Sequence, residues 1–274
     1  MIIGYHMSTT KGFEKTVKHA IKYSANTFQF FPRNPRGAKA RAIDYEDAKM
    51  FKDIVKEKNF GPVIAHGAYT MNLCSDKEDI RNLAKVLIKD DLDRLKVYGI
   101  DRYVFHPGSH VKQGADKGLN FIVDALNEIL VDEEDIKIGL ETMSGKGTEI
   151  GRNLDEIKYI IDNVHYKNLG VCLDTCHLYS SGYDIVNNLE EFVSELDEKI
   201  GLDKVYAIHI NDSMKEFSSN KDRHAKIGEG TIGLNAIARF INHPAFINIP
   251  MSLETPNDDE GYMKEIITLK NWKE

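Results

Sequence analysis

Cysteine is scarce: Cys74, Cys172 and Cys176 are the only three in 274 residues. So few thiols cannot build the disulfide framework of a small secreted domain, and a reducing, cytoplasmic setting is expected. No apolar run approaches the ~20 residues a membrane helix requires, and the opening MIIGYHMSTTKG lacks a signal-peptide core. Linkers rich in Pro, Gly or Ser, low-complexity tracts and clear repeats are also missing, so residues 1–274 are expected to form one domain. Nor is there an excess of basic residues: 36 Lys and Arg stand against 43 Asp and Glu, a formal charge of −7. Indiscriminate polyanion binding is disfavoured, although bound divalent cations reverse the sign of a local field.

What is present is a rhythm. Short apolar stretches read as strands: IIGYH (2–6), TFQFF (27–31), PVIAH (62–66), RYVFH (102–106), IKIGLE (136–141), LGVCLD (169–174), VYAIHI (205–210) and IPMSLE (249–254). Longer segments of helical period separate them, such as residues 78–99 and 119–130. Eight strands alternating with helices predict a (β/α)8 TIM barrel. The main rival, a doubly wound open sheet, gives no reason for what closes these strands.

His66, His106, Glu141, Asp174, His209 and Glu254 each stand at the end of a predicted strand. One such residue is ordinarily a hydrogen-bonded rim side chain. Six acids and imidazoles together have no structural purpose there, and in a barrel all six meet at the mouth where active sites of this fold lie. Period-2 alternation agrees: Gly170, Cys172 and Asp174 share one face of their strand, and Gly139 and Glu141 share one face of theirs. Mixed imidazole and carboxylate donors suit Zn²⁺ or Mn²⁺. His177 in DTCH, with Asp222 and His224 in DRH, adds three more candidate ligands, more than one or two ions need.

Weaker features take bland readings. His19, His110, His165 and His243 fall in helices or loops and read as structural or solvated. Cys172 and Cys176 mimic a redox pair, but small buried thiols are common. GKGTEIG (145–151) lacks the ending of a phosphate loop and reads as a rim loop.

HGAYTMNL (66–73), FHPGSH (105–110), GLETMSGKGTEIG (139–151), GVCLDTCHLYSSGYD (170–184), HINDS with DRHAKIGEGTIG (209–233) and SLETP (252–256) together resemble the endonuclease IV family of apurinic/apyrimidinic endonucleases. The resemblance spans nearly the whole chain. It implies three zinc ions, with Mn²⁺ an alternative occupant. His66, His106 and Glu141 would hold the first; Glu141, Asp174, His209 and Glu254 the second; His177, Asp222 and His224 the third. It implies hydrolysis of the phosphodiester 5′ to an abasic site in double-stranded DNA, giving a 3′-hydroxyl and a 5′-deoxyribose phosphate. A hydroxide between the first two ions would be the nucleophile, with Glu141 and Glu254 as the catalytic carboxylates. Arg36 in FFPRNPRGA (30–38) corresponds to an inserted arginine and Tyr69 to an inserted aromatic; His6 would lie near the substrate, and Arg223 would be structural or a phosphate contact. Where many members carry a bulky aromatic after that arginine, this chain has Gly37 and Ala38.

A metal-dependent sugar isomerase or epimerase of the same superfamily would share Glu141, Asp174, His209 and Glu254 but would not need His177, Asp222 and His224. A non-catalytic DNA-binding or metal-storing barrel is the remaining alternative. Nothing in the chain marks an obligate interface, so a monomer is expected.

Overall fold

A computed structural model of the chain describes residues 1–131 and 135–273. Its elements run β1 (Ile2–Tyr5), α1 (Phe13–Lys22), β2 (Gln29–Phe30), α2 (Tyr45–Glu57), β3 (Ile64–His66), α3 (Glu78–Tyr98), β4 (Arg102–Phe105) and α4 (Ala115–Ile129). They continue through β5 (Lys137–Glu141), α5 (Leu154–Asn163), β6 (Leu169–Asp174), α6 (Thr175–Ser181), α7 (Leu189–Lys199), β7 (Val205–Ile210), β8 (Asp212–Ser213), β9 (His224–Ala225), α8 (Leu234–Asn242), β10 (Pro250–Leu253) and α9 (Asp259–Asn271). Eight strands form one parallel sheet in the order β1-β10-β7-β6-β5-β4-β3-β2. A single parallel bridge, His6 to Gln29, joins its two edges, where Met7 N donates to Gln29 O at 2.7 Å. The result is the TIM barrel expected from the alternation.

All eight predicted strands form, but several are shorter than their apolar stretches. The ladder in β2 covers two residues, and β4 and β10 stop one residue before His106 and Glu254. Those two side chains therefore project from the first residue beyond the ladder, where the strand's direction still aims them at the mouth. The seam between β1 and β2 is close: a Cβ at Gly4 would lie 1.9 Å from Thr27 O, which only glycine avoids.

The large apolar core lies between the barrel and its helices. A second small cluster, Ile64, Val104, Cys172 and Ala207, fills the barrel itself. Each of its members stands two residues before one of the predicted ligands His66, His106, Asp174 and His209. A period of two puts both on the inward face, so this plug forms the floor on which the polar layer rests. Cys172 is thus an interior side chain, and among the described residues all three cysteines are free and buried. No helix among the described residues is long and apolar enough to cross a membrane.

Candidate metal centre

Glu141, at the end of β5, is the hub of the mouth. Its Oε2 lies 3.0 Å from His66 Nε2 and 3.2 Å from His106 Nε2. The other oxygen, Oε1, lies 3.2 Å from His177 Nδ1 and 3.3 Å from His209 Nδ1. Asp174 and Glu254 extend the cluster, with His209 Nδ1 at 3.9 and 3.6 Å from their Oδ2 and Oε2. Three donor groups have ligand atoms mutually within 4.8 Å: His66–Glu141–His209, Asp174–His177–His224 and Asp174–His209–Glu254. All nine predicted ligands are drawn together. The donor groups differ from the expected sets in one respect: Asp174, rather than Asp222, closes the group with His177 and His224. Asp222 Oδ1 nevertheless lies 3.5 Å from His177 Nε2 and 3.3 Å from His224 Nε2, with its side chain 38 % exposed.

Local rules explain how short motifs deliver these atoms. Asp174 ends β6 and is also the N-cap of α6, its Oδ1 accepting from His177 N at 2.8 Å. A cap that binds the third residue of the helix fixes the D-x-x-H spacing, and Gly182 at φ 110° ends the helix one turn later. Asp174 Oδ2 accepts from Asn211 Nδ2 at 2.7 Å. Asp222 and His224 arrive on a two-stranded ribbon, β8 with β9, registered Ser213 to His224. That ribbon is tied down by Asp212, a fully buried carboxylate. It accepts from five backbone amides, those of Ser213, Gly228, Gly230, Ile232 and Gly233, at 2.8–3.2 Å.

In four of the five predicted ligand histidines the second ring nitrogen has a hydrogen-bond partner. His66 Nδ1 donates to Gly67 O at 2.7 Å, His177 Nδ1 to Thr142 O at 2.9 Å and His224 Nδ1 to Glu254 O at 3.3 Å. His209 Nε2 donates to Gln29 Oε1 at 2.7 Å. Such outer partners fix tautomer and ring orientation at metal sites. They leave His177 Nε2, His209 Nδ1 and His224 Nε2 buried with no hydrogen-bond partner among the described residues. Three orphaned lone pairs facing four carboxylates are an environment that divalent cations satisfy. The residues fit a zinc-type site.

The electrostatics agree. Burial would raise the Glu141 carboxyl, but the imidazoles of His106 and His209 hold it well below the carboxylate range. Burial would lower His177 and His209, yet Asp174, Asp222 and Glu141 raise the first well above the usual histidine value. Cys172, Glu254 and Glu141 do the same for the second. Both histidine shifts share a physical cause: the clustered carboxylates favour positive charge at the mouth. His6 is the exception: burial lowers it to about 4, so its ring is neutral.

The four predicted DNA-contact residues fall in two groups. His6 and Tyr69 border the cluster: Phe31 packs on His6 at 4.3 Å and on Tyr69 at 5.2 Å between ring centroids, and Tyr69 stands 5.5 Å from His106. Arg36 and Arg223 are exposed, on the β2–α2 loop and the ribbon. The loops that carry Arg36 and Tyr69 are joined, since Tyr69 N donates to Pro35 O at 3.0 Å. Three supporting residues escaped the sequence reading. Gln29 and Asn211 hydrogen-bond the predicted ligands Glu254, His209 and Asp174, and Arg33 anchors the Arg36 loop to α3. Arg33 is buried and donates to Asp91 Oδ1 at 2.9 Å, Asp90 Oδ2 at 2.5 Å and Ala38 O at 2.7 Å. A cavity of about 1550 Å³ lies beside the cluster, and none of the nine predicted ligands lines it. It runs between the β1–α1 and β2–α2 loops, with His6 and Phe31 among its lining residues.

Comparison with known proteins matches residues 17–272 to the xylose isomerase-like TIM barrel family. A probable endonuclease 4 of Clostridium beijerinckii is 53 % identical over 270 residues, covering 98 % of both chains. The crystal structure of endonuclease IV from Thermus thermophilus superposes with a TM-score of 0.89 at 27 % identity, over 99 % of this chain and 98 % of that one. A D-tagatose 3-epimerase-like protein shares the fold alone, with a TM-score of 0.72 at 21 % identity over 97 % and 96 % of the two chains. The chain is a member of the endonuclease IV family, built on the xylose isomerase-like TIM barrel.

Proposed function

We propose that the protein is a DNA-repair endonuclease that cleaves the phosphodiester 5′ to an abasic site in duplex DNA, leaving a 3′-hydroxyl and a 5′-deoxyribose phosphate. The carrying observation is the group of His177, Asp222 and His224 beside the Glu141 cluster, with two of its ring nitrogens buried and orphaned. A sugar epimerase on this barrel has no use for it. Kinship with endonuclease 4 proteins at 53 % identity supports the same reading.

His66, His106 and Glu141 would hold one zinc ion; Glu141, Asp174, His209 and Glu254 a second; His177, Asp222 and His224 a third, with Mn²⁺ able to replace zinc. When bound, such ions supply an activated water near neutral pH and neutralise charge on a phosphodiester. The chain's own residues do the rest. Glu141 faces donors on both sides and fixes the spacing between the first two sites. Glu254 is held in place by Gln29 Nε2 at 2.6 Å. An abasic nucleotide costs little to extrude because it lacks a stacked base. The wall of Phe31, His6 and Tyr69 offers it an apolar seat with one neutral imidazole. Arg36, exposed on the adjoining loop, is placed to enter the gap left in the helix.

The test is a duplex oligonucleotide bearing one abasic site, incubated with the metal-loaded protein with and without chelator. A chelator-sensitive nick 5′ to the lesion is expected. An intact duplex, together with turnover of a ketose or aldose, would overturn the reading in favour of the sugar enzymes.

A further inference from the structure

Gln29 lies on the seam where β2 meets β1, and it is completely buried. Its amide reaches three residues carried by three other strands. Nε2 donates to Glu254 Oε1 at 2.6 Å and to His6 Nδ1 at 3.2 Å, while Oε1 accepts from His209 Nε2 at 2.7 Å. The orientation of the amide follows from its partners. An ionised carboxylate only accepts, so the amide nitrogen must face Glu254 and the oxygen must face His209. An amide oxygen carries no proton, so His209 must bear its own on Nε2.

The lone pair of His209 is thereby confined to Nδ1. That atom is buried without a partner, 3.3 Å from Glu141 Oε1 and 3.6 Å from Glu254 Oε2. The neighbouring histidines have the opposite arrangement. His66, His177 and His224 spend Nδ1 on backbone carbonyls and present Nε2 to the cluster. Backbone carbonyls impose that choice on three rings, and one glutamine imposes the reverse on the fourth.

We propose that Gln29 is a positioning residue of the metal centre, which commits His209 to coordinate through Nδ1 while holding Glu254 in place and presenting His6 as an Nε2–H donor. The proposal rests on the reading of the cluster as a metal centre. It accounts for the residue type. Leucine fills a similar volume but leaves His209 Nε2 without an acceptor, so the ring is free to turn over. Glutamate accepts from His209 but cannot donate to Glu254 or His6.

The experiment uses zinc-loaded full-length protein labelled with ¹⁵N-histidine, with zinc content measured in parallel. Ring-nitrogen shifts separate metal on Nδ1 from metal on Nε2. The wild type should show one ligand imidazole of the Nδ1 kind. Gln29→Leu should lose that signal and weaken zinc binding at one site by ~10–100-fold, the usual cost of removing an outer partner. Gln29→Glu should restore the Nδ1 signal despite its added charge. Wild-type ring shifts and zinc affinity in Gln29→Leu would overturn the proposal, as would a zinc-loaded wild type with no Nδ1-bound ring. Should Gln29→Leu fail to fold, loss of the Nδ1 signal in Gln29→Glu overturns it equally. A wild type that takes up no zinc overturns the metal centre itself, and the metal analysis alone identifies that case.

Discussion

His177 Nε2 lies 3.5 Å from Asp222 Oδ1, although one residue sits in a helix behind β6 and the other on a ribbon after β7. The ribbon's pairing brings them together, aided by hydrogen bonds from Asn220 N to Ser180 O and from Ser180 Oγ to Lys221 O, both at 2.9 Å. If they share an ion, Asp222→Ala removes one donor and the charge that balances it. About one equivalent of zinc should be lost, and cleavage of the abasic duplex should slow by ~10²-fold or more, the scale of losing a preorganised electrostatic contact. Elemental analysis of dialysed protein beside a single-turnover assay checks both. Full zinc content in the variant would remove Asp222 from the ligand set.

Stripping the metal should abolish cleavage without dissolving the fold, because the apolar layers outside and inside the barrel do not include the ligands. An ion present at ~100–1000 times its dissociation constant stabilises by about 3–4 kcal/mol. For a chain of this size, Tm should fall by roughly 5–15 °C on chelation. Far-UV circular dichroism with a thermal scan, before and after chelator, reports it. Collapse of the helical signal at room temperature would show that the ions hold the barrel together.

Arg36→Ala and Tyr69→Ala should leave zinc content unchanged, since neither belongs to the donor groups. Each should weaken binding to an abasic duplex by ~10–100-fold if Tyr69 stacks as aromatic side chains do on nucleic acid, with less effect on undamaged duplex. Fluorescence anisotropy with both duplexes separates the outcomes, and equal losses on the two would mean that the residues do not sense the lesion.

The anchor of the Arg36 loop carries a pH signature. Burial pushes the Asp91 carboxyl up to about 6 from 3.8, outweighing its contacts with Arg33 and Tyr103. A folded pKa above the unfolded one means that the folded state holds the extra proton between the two values. The associated stability is complete below about 3.8 and is lost as pH rises through about 6. Asp91→Asn cannot lose a proton there, so its stability relative to wild type should improve steadily as pH rises from 4 to 7. Urea unfolding of both proteins across that range measures the difference; parallel curves would assign the titration elsewhere.

Six of the nine candidate ligands were legible because they obey a simple rule: an acid or imidazole at the inward position where a strand ends. His106 and Glu254 obeyed it from one residue beyond the ladder. Gln29 was not legible, since its meaning depends on β1, β7 and β10 meeting at the closed seam, and no local pattern encodes closure. Arg33 was hidden by its surroundings in the sequence, a polar loop with a second arginine three residues on. The guanidinium is buried only because two aspartates of α3 lie behind it. The role of Asp212 was invisible for a related reason: its partners are backbone amides, which every residue possesses.

One hydrogen-bonded bridge closes the barrel between β1 and β2, whereas the other strand pairs are laced by longer ladders. Asn26, which exchanges hydrogen bonds with Ile3 at 2.7 and 3.1 Å, is the other tie along this seam. His6 and Gln29 span it, and their side chains connect to Glu254 and His209 on the far side. An ion held by those two residues would act as a clasp on the joint. Amide hydrogens of Met7 and Ile64, which bond across β2, should exchange with solvent faster once the cation is removed, while those inside β6 and β7 stay protected. A cation bound there would then also serve as the fastener of the barrel.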